Sequence, residues 1–223
     1  SLIEAKMNPA LIELIILAGI AVFLFLRLRS VLGTREGFEK PRMQPKNDAP
    51  KRDFKVIDGG EDKDITDNVE KNSKSAKALK NIKEKDETFT VNEFLSGARS
   101  AYEWILMSFE KNEIDDIREL LSEEVAEAFD SVVEQRISQG LTIEAEFIGV
   151  REMKLVDASY NSKTKTAEIA VSFIGEMTSV VKNSSGEIVE GDSKQIKRQK
   201  DTWTFSKDIL SDNPNWILVA TGE

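Results

Sequence analysis

The chain carries three successive patterns of hydrophobic and polar positions, and each pattern predicts a different kind of structure. Residues 14–26 contain no polar side chain. Residues 30–88 show little apolar periodicity, whereas helical spacing and then strict alternation follow after Thr90. Because periods of about 3.6 and two residues mark amphipathic helices and half-buried strands, the pattern predicts an apolar segment, a polar segment and a folded domain.

The apolar segment predicts a transmembrane anchor at residues 1–29. At about 1.5 Å per residue, a helix over residues 10–28 crosses most of a hydrocarbon core of ~30 Å. A cleaved signal peptide and a buried core helix are the alternatives. We favour the anchor because the apolar run continues into Arg27 and Arg29 without a small-residue cleavage site. Both arginines are expected at the membrane surface, and the positive-inside rule places the following residues in the cytoplasm.

The polar segment, residues 30–89, predicts a flexible charged linker. It holds three of the five prolines, the pair Gly59-Gly60 and many charges of both signs. This composition cannot bury enough apolar surface to offset the conformational entropy of the chain. The alternative, in which the segment folds against the domain, is less consistent with its composition.

A lysine recurs at every third position near the end of this linker. The series comprises Lys71, Lys74, Lys77, Lys80 and Lys83. As a helix it is a candidate membrane-surface element, because each cation near anionic lipid contributes about 1 kcal/mol. Steps of three residues rotate successive lysines by about 60° and do not gather them on one face. We therefore favour a solvated helix that leads into the domain.

The remaining residues, 90–223, predict an α+β domain whose helices precede its strands. Three helices are expected, namely a long one capped by Thr90 and Glu93, a short one from about Asp115 and one from Ser122 to Gly140. Four strands follow, separated by turn sequences at residues 163–164, 183–186 and 213–215. The apolar residues of the helices and those of the strands are buried most simply if a curved antiparallel sheet wraps over the long helix. Such an arrangement often leaves a cone-shaped cavity.

Nine large apolar residues at helix and strand positions are candidates for lining such a cavity. They are Phe94, Tyr102, Ile105, Phe109, Phe129, Phe147, Phe173, Trp203 and Trp216. Because ligand pockets are lined mostly by residues of the core type, this set would line an apolar pocket between helix and sheet if the cone is hollow. The alternative is that the nine side chains fill the core themselves, which is the usual role of periodic aromatic residues.

The composition excludes several kinds of chemistry. The chain has no Cys and no His, which excludes disulfides, Cys or His nucleophiles and thiolate or imidazole zinc sites. It also lacks a Gly-rich phosphate loop and a metal-spaced acidic cluster, so we expect no enzyme activity, no metal and no cofactor. Residues 91–223 hold 14 basic and 25 acidic residues, a net charge of −11, which argues against nucleic acid as a partner.

Several segments resemble the bacterial relatives of subunit 44 of the mitochondrial inner-membrane protein translocase. They read MNPALIELIILAGIAVFLFLRLRSVLGTREG, FLSGARSAYEWIL with the later LLSEEV, and DTWTFSKDILSDNPNWILVAT. The resemblance implies a cone-shaped domain similar to the nuclear-transport-factor fold, with an apolar pocket. In mitochondria this subunit is a matrix-side adaptor that tethers the chaperone motor to the import channel and touches acidic lipids.

The expected function is therefore that of a membrane-anchored adaptor or scaffold. Its domain is expected to hold protein partners, such as translocase or chaperone components, at the cytoplasmic face of the membrane for protein translocation or membrane-protein quality control. The alternative is a lipid or apolar-ligand binding module. The first 26 residues lack the Arg-rich, acid-poor character of a transit peptide, so we expect a single-pass protein of a bacterial inner membrane. Met7 is a candidate natural start.

Overall fold

The computed structural model describes residues 60–222, and within this part the α+β prediction is confirmed. The helices are α1 (Lys63–Thr66), α2 (Lys74–Lys85), α3 (Val91–Glu110) and α4 (Glu123–Ser138). Two 3₁₀ turns, Ile114–Asp116 and Arg118–Leu120, connect α3 to α4 where the sequence predicts a short helix. The strands are β1 (Thr142–Asn161), β2 (Thr166–Lys182), β3 (Ile188–Asp208) and β4 (Ile217–Gly222).

The ends of the two longer predicted helices are confirmed by their capping geometry. At the start of α3, the Glu93 N–H donates a hydrogen bond to Thr90 Oγ1 at 3.1 Å. At the start of α4, the Val125 N–H donates to Ser122 Oγ at 3.2 Å. Gly140 follows α4 with a φ of 65°, a left-handed conformation that glycine adopts without a steric penalty.

The four strands form one antiparallel sheet in the order β1-β2-β3-β4. One face of β2 is fully buried and presents Ala167, Ile169, Val171 and Phe173. Register shifts at three points along β1 indicate bulges, which increase the local twist and bend the strand. The sheet therefore curves, and its buried face packs against α2 and α3.

The predicted anchor lies outside the described residues. Arg27 and Arg29, the two arginines expected at the membrane surface, also precede residue 60. No helix within residues 60–222 is long and apolar enough to span a membrane. The anchor and its cytoplasmic orientation therefore stay predictions, as does the linker character of residues 30–59.

The predicted linker boundary at residue 89 is wrong, because residues 63–89 fold against the rest of the domain. Leu79 and Ile82 of α2 are fully buried. The Ala158 N–H of β1 donates a hydrogen bond to the Ser75 hydroxyl at 3.1 Å. The composition of the segment does not indicate this packing, because α2 has only four buried positions among many charged ones. Four buried positions are enough to hold the helix on the domain when a sheet supplies the opposing apolar surface.

The five lysines of the series have two different surroundings. The exposed members are Lys71, Lys74, Lys77 and Lys80. Lys83 instead donates a hydrogen bond to Asp62 at 2.9 Å and lies 2.7 Å from an Asp64 carboxylate oxygen. Lys83 therefore contributes to the fold, and a membrane-surface role stays a prediction for the exposed members.

Asp64 links α1 to α2 and α3. Its Oδ2 accepts a hydrogen bond from the Val91 N–H at 2.7 Å, and its Oδ1 accepts one from the Asn92 N–H at 3.0 Å. Burial by itself raises the pKa of Asp64, but Lys83 and the two backbone donors outweigh burial and hold this pKa below its ordinary value. The ionised carboxylate thus sits at the N-terminus of α3, where the helix dipole favours negative charge.

Acid is expected to destabilise the domain partly through Asp64. A carboxyl group with a lowered folded pKa stabilises the fold above its unfolded pKa of about 3.9, and this contribution is lost as the pH falls through the folded pKa. In urea unfolding at about pH 7, 4 and 3, the wild-type chain should lose stability most steeply below pH ~4. The Asp64→Asn chain should be less stable at neutral pH and lose less on acidification. An equal acid-induced loss in both proteins would contradict this role of Asp64.

Candidate functional site

A groove along the solvent side of α3 is the candidate functional site, and we call it the α3 groove. Its volume is about 460 Å³. One wall consists of the α3 surface around Gly97 and Trp104, and the opposite wall consists of Phe89, Pro214 and Trp216. The site is therefore built from the first part of α3, the loop before it and the loop that leads into β4.

Aromatic rings form the apolar surface of the α3 groove. Phe94 and Trp216 meet edge to face, with ring centroids 4.8 Å apart and planes at 65°. Phe94 also meets Phe205 edge-on at 6.0 Å, and Phe89 lies 5.9 Å from Trp216. Aromatic pairs at about 4.5–7 Å are favourable beyond the area they bury. These four rings therefore hold one another in place and give the groove a preformed apolar surface.

Small residues keep the helix side of the groove open. Gly97 and Ala101 lie between Glu93 and Trp104 at helical spacing. A Cβ atom on Gly97 would meet nothing within 4 Å. The helix residues that line the groove, from Thr90 to Trp104, extend over about 21 Å of the helix axis. Trp104 is 52% exposed, which leaves a large aromatic side chain available for contact.

The rim of the groove carries two carboxylates. The Asp86 carboxylate accepts a hydrogen bond from Thr88 Oγ1 at 2.6 Å, and Lys207 Nζ lies 3.7 Å from it. Hydrogen bonds from Thr88, assisted by Lys207, hold the pKa of Asp86 below its ordinary value. Glu93 is the second carboxylate and is exposed. Among the described residues, no group of acidic side chains is arranged to hold a metal ion.

Replacing Gly97 by Ala is expected to stabilise the domain by about 0.5–1 kcal/mol, because glycine carries a conformational penalty inside a helix. The open space around Gly97 means that the added Cβ creates no clash. Urea unfolding of the two chains measures the difference. Gly175→Ala is the matched control and should destabilise, because its Cβ would lie 2.8 Å from the Tyr102 hydroxyl. A destabilised Gly97→Ala chain would show that the groove is narrower than described.

The structure distributes the nine predicted pocket residues over three places. Phe94 and Trp216 line the α3 groove. The core between α3 and the sheet contains Tyr102, Ile105, Phe147, Phe173 and Trp203. The contact between α3 and α4 contains Phe109 and Phe129, with ring centroids 4.4 Å apart. The part of the chain that the structure describes therefore does not unite the nine residues in one cavity, and the cone-shaped cavity stays a prediction.

The aromatic residues between α3 and the sheet form a closed core. The Tyr102 ring stacks on Phe173 at 4.3 Å and lies 4.7 Å from Trp203. The Tyr102 hydroxyl donates a hydrogen bond to Asp201 Oδ2 at 2.7 Å. Burial, together with the Asp201 charge, raises the pKa of Tyr102 far above its ordinary value. Tyr102 therefore stays protonated and acts as a hydrogen-bond donor that fixes α3 on β3.

Arg136 organises the contact between α3 and α4. It is 7% exposed, and its guanidinium lies 4.4 Å from the centroid of the Phe109 ring. Its Nη1 donates to the Phe109 carbonyl at 2.7 Å and to Asn112 Oδ1 at 3.1 Å. Glu110 lies 3.9 Å away, and burial raises the pKa of Glu110. A cation at the C-terminal end of α3 complements the helix dipole, so this polar cluster stabilises the fold.

Sequence reasoning missed Trp104 and the residues that face it across the groove. Trp104 falls between Tyr102 and Ile105 and lies outside the buried stripe of α3. A large aromatic residue on the polar face of an amphipathic helix is the signal that marks it, because such residues often serve at interfaces. Pro214 reaches the groove from a loop near the end of the chain, and no local pattern predicts that placement.

The fold and the groove together define an α+β domain with an open groove that has an aromatic surface. The chain belongs to the Tim44-like domain family, because residues 75–223 match this domain. The match confirms the resemblance to the bacterial relatives of translocase subunit 44. It also begins within α2, which independently includes this helix in the domain.

One similar solved structure is the crystal structure of the intermembrane space region of the chloroplast protein ARC6. Its TM-score is 0.38 and its identity is 9%, over 55% of this chain and 88% of that chain. No match is found among curated proteins. The Tim44-like domain indicates a membrane-associated, protein-binding role related to translocation.

Proposed function

We propose that this protein is an adaptor that holds a protein partner at the cytoplasmic face of a bacterial inner membrane. The family match, the apolar segment predicted as an anchor and the α3 groove support this role. The observation that carries the proposal is Trp104, half exposed beside an aromatic groove, because tryptophan is strongly enriched at the energetic centres of protein interfaces. The proposal places the adaptor in protein translocation or membrane-protein quality control and includes no catalytic step.

The geometry of the groove favours an amphipathic helix as the docked element of the partner. The backbone groups of α3 are bonded within the helix, and Pro214 has no N–H, so the walls offer side chains rather than a free strand edge. The length of about 21 Å corresponds to about four helical turns. Apolar residues spaced three and four positions apart on such a helix would contact Trp104, Gly97 and Trp216 in succession.

The predicted tether increases the occupancy of a weak interaction without adding contacts. If residues 30–59 form a flexible coil, as their composition predicts, they reach about 30 Å. Effective concentration falls as a flexible linker lengthens. The folded state of residues 63–89 shortens the linker and therefore strengthens the effect.

Binding of a lipid or another apolar ligand is the second candidate function. The groove volume of about 460 Å³ lies within the range of about 300–1,000 Å³ that is common for small-molecule sites. The aromatic surface of the groove suits an acyl chain. Native mass spectrometry of the purified full chain would show a bound lipid, and Gly97→Trp would remove it by filling the groove.

Proximity labelling in cells tests the adaptor proposal. The label is fused to the C-terminus of the full chain, and wild type is compared with Gly97→Trp and with the matched control Gly97→Ala. Wild type and Gly97→Ala should label the same discrete set of proteins, whereas Gly97→Trp should lose members of that set. A chain without residues 1–29 should lose them as well. Identical labelling by all four proteins would refute the proposal.

A further inference from the structure

One edge of the sheet has no neighbouring strand over much of its length. β3 contains 21 residues, but β4 pairs with it only over residues 202–206. Within residues 60–222, β3 runs beside β2 and β4 alone, and residues 190–198 are exposed. Because a strand without a neighbour leaves backbone N–H and C=O groups unpaired, residues 188–201 form an open edge, which we call the β3 edge.

The opposite edge of the sheet, formed by β1, is protected. Three register shifts interrupt β1, and such bulges twist an edge away from an incoming strand. In the second half of β1, the Ala158 N–H donates a hydrogen bond to the Ser75 hydroxyl of α2 at 3.1 Å. β3 also carries register shifts, but only before Lys197, and its pairing with β2 is continuous over residues 197–208. The regular part of the β3 edge is therefore residues 197–201.

Positive charge is concentrated on the β3 edge, although the domain is acidic overall. Four cations lie close together in the sequence, namely Lys194, Lys197, Arg198 and Lys200. Because side chains alternate along a strand, Arg198 and Lys200 project from the face of the sheet opposite to the buried Trp203. The acidic residue Asp192 precedes the register shift and lies outside the regular part of the edge.

The acidic groups nearest to these cations do not cancel their charge. Glu176 on β2 lies 3.8 Å from Arg198 and 3.8 Å from Arg151 of β1, so two arginines share one carboxylate. Asp201 accepts a hydrogen bond from the Tyr102 hydroxyl at 2.7 Å on the core side of the sheet. The outer face of the β3 edge therefore keeps an excess of positive charge.

We infer that the β3 edge binds an extended acidic segment of a protein partner, which joins the sheet beside β3 and in line with β4. Backbone hydrogen bonds along residues 197–201 hold the segment, as in other cases of strand addition. Carboxylates at alternate positions of the segment face Arg198 and Lys200, and opposite charges on directly opposed strand residues are favourable. The same cations disfavour pairing with the β3 edge of a second copy, because like charges would then face each other.

This surface goes beyond the proposed function, because it is separate from the α3 groove. Phe205 lines the groove, and the strand from Arg198 to Phe205 extends over about 23 Å. A segment bound at the β3 edge therefore leaves the groove accessible, and one chain can hold two segments at once.

Binding of short peptides to the purified full chain tests the inference. The probe is a fluorescent peptide of about ten alternating Thr and Glu residues, a length that covers one typical strand. The controls are the same peptide with methylated central backbone nitrogens and a peptide of alternating Thr and Lys. Fluorescence anisotropy should show binding of the acidic probe that is about tenfold tighter or more than that of either control. Equal binding of the methylated peptide overturns the inference, because charge alone then accounts for the contact.

Lys200→Glu is the matched variant of the protein, and Lys154→Glu is its control, because Lys154 is exposed on the same face of the sheet in β1. Lys200→Glu should weaken binding of the acidic probe about tenfold or more, whereas Lys154→Glu should change it by less than about twofold. Far-UV circular dichroism confirms that both variants are folded. Equal effects of the two variants overturn the inference.

Amide hydrogen exchange of the unmodified chain gives a second readout. The acidic probe should slow exchange within residues 197–201, because strand addition bonds their free backbone groups. Unchanged exchange there overturns the inference. Slower exchange on raising the protein concentration without the probe also overturns it, because a second copy then pairs with the edge. The assay contains no cellular partner, so its result is independent of the proximity-labelling test of the adaptor proposal.

Discussion

Replacing Phe173 by Ala is expected to lower the free energy of unfolding by about 3–5 kcal/mol, the usual range for deleting a buried aromatic ring. Phe173 is fully buried on β2. It stacks on Tyr102 with the ring planes 13° apart, and it meets Trp203 edge-on at 6.0 Å. The variant loses both contacts and leaves a cavity beneath the centre of the sheet. Urea unfolding of the full chain, followed by far-UV circular dichroism, measures the loss.

Phe147→Ala is the matched control for this prediction. Phe147 is only partly buried, and its ring lies 6.2 Å from that of Tyr102. Its removal should therefore cost clearly less, because solvent already reaches part of the side chain. If Phe173→Ala costs no more than Phe147→Ala, these rings line an open pocket, and the ligand-pocket interpretation replaces the closed core.

Replacing Leu79 by Ala is expected to lower the free energy of unfolding by about 2–5 kcal/mol. Leu79 and its neighbour Ile82 are fully buried where α2 packs on the domain. Lys80→Ala is the control, because Lys80 is exposed on the same helix and its loss should change stability by no more than about 0.5 kcal/mol. Equal stability of the Leu79→Ala chain and wild type would show that α2 is not part of the core.

Helices α3 and α4 and the turns of the sheet could be predicted because their signals are local. Thr90 and Ser122 cap the helices through residues three positions away, and Gly140 ends α4 by its own conformation. The predicted turns at residues 163–164 and 183–186 coincide with the connections between the first three strands. Each of these features depends on a few consecutive residues, so the sequence pattern is sufficient.

The position of α2 could not be predicted, because its stability depends on a distant strand. Ser75 bonds to Ala158, which lies 83 residues further along the chain. Charged residues surround Leu79 and Ile82, so the segment resembles a solvated linker until β1 is in place. A composition rule averages over the segment, whereas burial depends on one face of one helix.

The α3 groove could be predicted only in part. Phe94 and Trp216 both belong to the residues proposed from sequence, yet they come from opposite ends of the domain and meet at 4.8 Å. Their contact follows from the order of strands, which brings the start of β4 beside the first turns of α3. Periodicity identifies aromatic residues that face inward, but it does not show which of them share a cluster.

Photo-crosslinking from the groove in intact cells is the most direct test of the central claim, that the α3 groove binds a protein partner at the membrane. A photoreactive residue replaces Ser100 in the full chain, Ser159 on β1 is the matched control position, and Gly97→Trp blocks the groove. The account predicts discrete protein adducts from position 100 that are absent from position 159 and disappear with Gly97→Trp. Equal adducts from both positions, or only lipid adducts from position 100, would contradict it.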